Sequence, residues 1–101
     1  MGWSMDSGLK NKLTEINALA LRLHGGTPAA DAFTFRSLEE HVEEVRGSLA
    51  AGDAHWKAET LDIIIHGFLL LERHGVDIEE VRGLQEARLG RFKEKINAAL
   101  R

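Results

Sequence analysis

The sequence predicts an all-α protein arranged as a four-helix bundle, and three observations predict it. Apolar residues fall in four blocks at spacings of three and four, the period of a helix face. Glycines punctuate the blocks at Gly25-Gly26, Gly52 and Gly75. The chain has 101 residues, of which 44% are apolar and only one is proline, a composition of folded helix rather than of disorder. One domain, 1–101, is the default at this length, with 1–7 read as a loose start in which Trp3 either packs or is incidental. So small a domain buries a thin core, and oligomerisation is a common remedy.

Leu9, Leu13, Ile16, Ala20 and Leu23 share helical spacing and define the first helix, with Asp6 or Ser7 as its cap. Gly25-Gly26 ends it, and Thr27-Pro28 prevents its continuation. Residues 27–35 read as a loop. A second helix runs from about Phe35 to Ala51, with Phe35, Leu38, Val42, Val45 and Leu49 as its narrow apolar seam. Gly52-Asp53 marks a turn, and the third helix runs from about Ala54 to His74. Ile63, Ile64, Ile65, Phe68, Leu69, Leu70 and Leu71 cover almost its whole circumference. Such a helix is expected to be packed on every side, and three neighbours from one short chain hardly suffice, so a subunit interface is expected along it. Asp77 caps the fourth helix, which carries Val81, Leu84, Leu89, Phe92, Ile96 and Leu100, with Gly90 as a candidate break.

Cysteine is absent, which excludes disulfides and thiolate metal sites and fits a reducing cytoplasm. A net charge of −3 argues against a nucleic-acid backbone binder. No secretory signal stands out. The longest apolar run, Ile63 to Leu71, is interrupted by His66 and Gly67 and falls far short of the roughly 20 residues that span a bilayer, so no membrane partner is expected.

The chemistry-bearing stretch is Glu39 to Asp62. A helix advances about 100° per residue, so positions three or four apart share a face. Glu59, Asp62, Ile63 and His66 lie on one stripe of the third helix, placing two carboxylates at the entrance to its apolar run. Glu40 and Glu43 are one turn apart on the second helix, with Glu39 one turn from Glu43. Glu40 points nearly opposite the apolar seam, so a shared cation requires a further helix to cover that face. Hard oxygen donors without sulfur suit Mg²⁺ or Mn²⁺, and Mg²⁺ prefers to share its ligands with phosphates, which directs the reading towards phosphoryl chemistry. Against this stands the plain reading, in which glutamate-rich faces are merely solvated.

The order Glu39-Glu40-His41-Val42-Glu43, a spacer of residues 44–58, Glu59-Thr60-Leu61-Asp62 and an apolar helix resembles the all-α nucleoside triphosphate pyrophosphohydrolases of the MazG type. The resemblance extends over about residues 34–92. It implies a MazG-like four-helix bundle completed by oligomerisation as a homo-dimer or homo-tetramer. It implies Glu40, Glu43, Glu59 and Asp62 as Mg²⁺ ligands, with Mn²⁺ as a substitute, and Glu39 and Glu43 as the catalytic carboxylates. The implied reaction splits a nucleoside triphosphate into monophosphate and pyrophosphate, a house-cleaning role. Arg88 and Arg91 stand where the family places its phosphate-binding bases. The family's upstream asparagine and tryptophan-containing loop have no clear counterpart here. Phosphoribosyl-ATP pyrophosphohydrolase is a similar sister group, with a histidine four residues after the aspartate as His66 is after Asp62, although its Ser-Tyr-Thr segment is missing.

His66 is placed either behind the cation, bonded to Asp62, or as an ordinary core histidine. His24, His41, His55 and His74 show no zinc-like grouping and read as surface residues. Arg82, Arg88, Arg91 and Lys93 are candidate phosphate clamps or ordinary helix-terminus bases. Trp56 and Phe35 are candidates for base stacking, with packing the commoner use of such residues. The rival from another class is a non-catalytic helical oligomerisation module.

Overall fold

A computed structural model of the chain describes residues 7–101; Trp3, the loose start before Ser7 and the cap assigned to Asp6 lie outside them. Four helices follow one another: α1 (Ser7–His24), α2 (Thr27–Ala51), α3 (Trp56–Arg73) and α4 (Ile78–Leu100). No strand occurs among the described residues.

The connections are short because glycine and aspartate terminate each helix. Gly25 and Gly26 have φ of 85° and 143°, conformations costly for a side chain, and they reverse the chain between α1 and α2. Pro28 sits in the first turn of α2, where no intrahelical N–H is required. Residues 27–35 are therefore helix, not loop. The same Thr27-Pro28 that cannot extend α1 is well suited to begin α2. Gly52 ends α2 in the left-handed conformation, and the Asp53 amide donates to the Ser48 carbonyl at 2.9 Å. Asp53 Oδ1 accepts from the His55 amide ahead of α3. The Val76 amide donates back to the Leu71 carbonyl at 3.0 Å, closing α3 beyond Gly75. Asp77 then caps α4 by accepting from the Glu79 amide at 3.0 Å, as its position before an apolar helix leads one to expect. No break occurs at Gly90.

α2 and α3 form an antiparallel hairpin: Asp31 near the start of α2 meets His74 just beyond α3, while His41 farther along α2 meets Glu59 in the first turn of α3. The side chains of α2 that are buried are Ala30, Thr34 and Ser37, not the seam the apolar periodicity selects. Phe35, Val42 and Leu49 of that seam are exposed.

The apolar core is small: Leu13, Phe68, Leu69, Ile78 and Val81, with Leu9, Leu71 and Val76 against them. It joins α1, the second half of α3 and the first turn of α4. Beside it lies a polar knot centred on Arg73, whose side chain is 3% exposed. Its guanidinium donates to Asp31 at 2.7 Å, to Thr34 Oγ1 at 3.1 Å and to Asn17 Oδ1 at 3.2 Å, tying three helices together. The Asn17 amide donates to the Leu69 carbonyl at 3.0 Å and to Glu72. Arg73 holds the Asp31 carboxyl below the usual aspartate range, with His74 adding to the effect.

α3 is not packed on every side. It buries Phe68 and Leu69 towards its end, whereas Leu61, Ile64 and Ile65 before them are exposed. α4 is buried only through Ile78 and Val81, and every residue from 82 onward is exposed. No described helix is long and apolar enough to cross a membrane.

Candidate metal centre

The hairpin places polar groups where the first half of α3 faces the middle of α2. Positions 30, 34, 37, 41, 44 and 48 of α2 follow helical spacing along one face. Its first three members are buried against α3, and the next two, His41 and Glu44, meet Glu59. Glu59 is the buried member, with a side chain 8% exposed. His41 Nδ1 bonds to Glu59 Oε1, and His55 Nε2 lies 3.2 Å from Glu59 Oε2. One ligand atom from each of His41, Glu44 and Glu59 falls within 4.8 Å of the other two. Asp62 Oδ2, one turn further along α3, is 3.9 Å from His41 Nδ1.

The electrostatics follow from two carboxyls in contact. Hydrogen bonding to Glu59, together with its negative charge, holds Glu44 above the usual glutamate range. Glu59 is held below that range by the hydrogen bonds it accepts from Glu44 and His41, which outweigh its burial. Their contact thus shifts the two carboxyls in opposite directions. A divalent cation would ease the repulsion between them, because it supplies the positive charge that two adjoining carboxylates lack.

Of the sequence-assigned ligands, the structure brings Glu59 and Asp62 to this cluster. Glu40 and Glu43 are exposed and lie outside it, and Glu43 pairs with Arg46 one turn away on its own helix. Glu39 is exposed as well. Arg88 and Arg91 sit on the exposed length of α4, where Arg88 stacks over the Phe92 ring with its carbon 5.4 Å from the centroid. His66 lies behind the cluster, its ring centroid 5.4 Å from that of His41. Its Nδ1 is buried without a hydrogen-bond partner, and burial, reinforced by His41, pushes its pKa down.

The residues sequence reasoning missed are His41, Glu44 and His55. His41 and His55 are not bystanders, since both flank the buried carboxylate. The signal was the small-residue stripe Ala30-Thr34-Ser37, which identifies the face of α2 turned to α3 and continues through His41 and Glu44. Of the other two histidines, His24 stacks on Phe33 at 4.6 Å and His74 pairs with Asp31 at 2.7 Å. Trp56 is half-buried at the start of α3, and Phe35 is exposed. Comparison of the chain with protein-family profiles, with curated proteins and with solved structures found no match.

Proposed function

We propose that the chain is a divalent-cation-dependent hydrolase that splits nucleoside triphosphates into monophosphate and pyrophosphate, with its cation held between α2 and α3. The observation that supports this reading is Glu59. A carboxylate is rarely buried unless paired, and this one faces His41 and Glu44 on the opposite helix, with Asp62 one turn away. The donors are mixed. Carboxylates suit Mg²⁺ and Mn²⁺, whereas imidazole suits zinc and iron, so Mn²⁺ fits His41, Glu44 and Glu59 together. Mg²⁺ would rely on Glu44, Glu59 and Asp62. The cation supplies polarisation of the phosphoryl oxygens and a more acidic bound water. Glu59 holds it, and Glu44 is the carboxyl best placed to exchange a proton beside it. Glu39, Glu40 and Glu43 take part only if a second copy covers their face of α2, and Arg88 and Arg91 reach the phosphates only from such a copy.

The test is a screen of common and damaged nucleoside triphosphates, and of phosphoribosyl-ATP, for pyrophosphate release with Mg²⁺ or Mn²⁺. Release that falls at least 100-fold in Glu59→Gln is expected; no release from any nucleotide contradicts the hydrolase. A second reading is a helical oligomerisation module, favoured by the apolar residues exposed along α4. Self-association completes the bundle in either reading.

A further inference from the structure

The part of α4 beyond its first turn contacts little of its own chain, yet its sequence is not that of a solvated helix. Ile78, Val81, Leu89, Phe92, Ile96 and Leu100 fall on one stripe at 3.6-residue spacing. The first two are buried in the core, whereas Leu89, Phe92 and Ile96 are 66, 52 and 62% exposed. One continuous apolar stripe is thus docked at its root and bare along its arm. The whole chain exposes 7514 Å² at 11.2 kDa, against about 5,700 Å² for a compact monomer of that mass. The excess is more than the roughly 800 Å² per partner that a stable interface removes. The radius of gyration, 16.0 Å, likewise exceeds the ~13 Å of a compact chain of this length.

Charge indicates what covers the arm. Residues 82–101 hold six basic and two acidic side chains, a net of +4, whereas residues 27–73, the α2/α3 hairpin, hold four basic and nine acidic ones, a net of −5. That hairpin also carries exposed apolar side chains: Phe35, Val42 and Leu49 on α2, and Leu61, Ile64 and Ile65 on α3. We infer that the α4 arm of one copy packs on the α2/α3 hairpin of a second copy, basic arm against acidic body, reciprocally in a two-fold dimer. Arm-to-arm pairing would set two +4 helices side by side. An anionic lipid surface would attract the arm but repel the acidic body fixed to it. The inference rests on self-association of the chain and specifies the surfaces.

The experiment is sedimentation equilibrium with interchain paramagnetic broadening. The wild-type chain sediments as two copies at 100 μM and weakens as salt is raised. Leu89→Glu with Phe92→Glu weakens association by about 100-fold or more, since each buried residue of this size contributes a tenfold effect or greater. These side chains are absent from the core, so the variant keeps its helical circular dichroism. A nitroxide on Asn97→Cys, in a chain otherwise free of cysteine, broadens α2 and α3 amides of an unlabelled copy. A monomeric wild type, or a monomer that binds anionic vesicles, overturns the inference together with self-association. A dimer indifferent to the double substitution, or broadening confined to α4, overturns the arm-on-body contact alone and leaves self-association standing.

Discussion

The α2/α3 hairpin and the α4 arm are both helical, but they are held in opposite ways. The hairpin is fixed by tertiary polar contacts: Arg73 to Asp31, Thr34 and Asn17 at one end, and Glu59 to His41 and Glu44 nearer the other. The arm is held within the single chain by its own backbone hydrogen bonds and by an anchoring first turn at Ile78 and Val81. A helix of 23 residues can persist on local propensity, but most helical stability comes from packing an apolar face. Side chains fixed from both helices of the hairpin have the set positions a cation would need, whereas a stripe left exposed along the arm is open to another molecule.

The largest effect that would sharpen this contrast is expected from Arg73→Ala. It leaves Asp31, Thr34 and Asn17 without their shared donor in a part-buried setting, and the melting temperature should fall by about 10 °C. A drop of under 2 °C would mean that the knot does not hold the hairpin. Next in size is an acid effect. The Asp31 carboxyl is lowered in the folded chain chiefly by Arg73, so its contribution is complete above the usual aspartate value of about 3.9 and is lost as pH falls through the lowered one. Asp31→Asn should therefore melt about 5 °C below wild type at pH 7, and the gap should narrow below pH ~4. A gap independent of pH contradicts the ion pair. The smallest effect is expected in the arm. Gly90 has open space where a methyl would go, so Gly90→Ala should raise helix stability by about 1 kcal/mol, seen as higher helicity on partial heating. A loss of helicity would show that the arm already packs closely at this position.

The four helices were legible because apolar spacing and the Gly and Asp punctuation act locally. Asp77 capped α4 as its position demanded. Thr27-Pro28 misled because a proline that stops one helix also starts the next, and only the short Gly25-Gly26 reversal decides between a loop and a new helix. The packed face of α2 was hidden for a different reason. Periodicity selected Phe35, Leu38, Val42, Val45 and Leu49, of which Phe35, Val42 and Leu49 are exposed, whereas the buried side chains of α2 are the small Ala30, Thr34 and Ser37. The α2 carboxylates assigned to the site, Glu40 and Glu43, came from the family resemblance and not from a packed face. Glu59 and Asp62 were read onto one stripe, and the structure keeps them beside the same histidine, but the α2 carboxyl that faces Glu59 is Glu44 rather than Glu40 or Glu43. His41 was passed over because a lone histidine carries no spacing signal until the face it shares is known.

A cation proposed to sit between His41, Glu44 and Glu59 is best sought by titrating the metal-free chain with Mn²⁺, followed by melting temperature and by the manganese electron-spin signal. Binding to the folded state raises the melting temperature, and it should tighten as pH rises, because protons compete with the ion for its carboxylate and imidazole ligands. Saturation at one ion per chain in the micromolar to millimolar range is expected, lost in both Glu59→Gln and His41→Ala but retained in Glu40→Gln. An unchanged melting temperature at 10 mM Mn²⁺, or binding that survives Glu59→Gln, would contradict it.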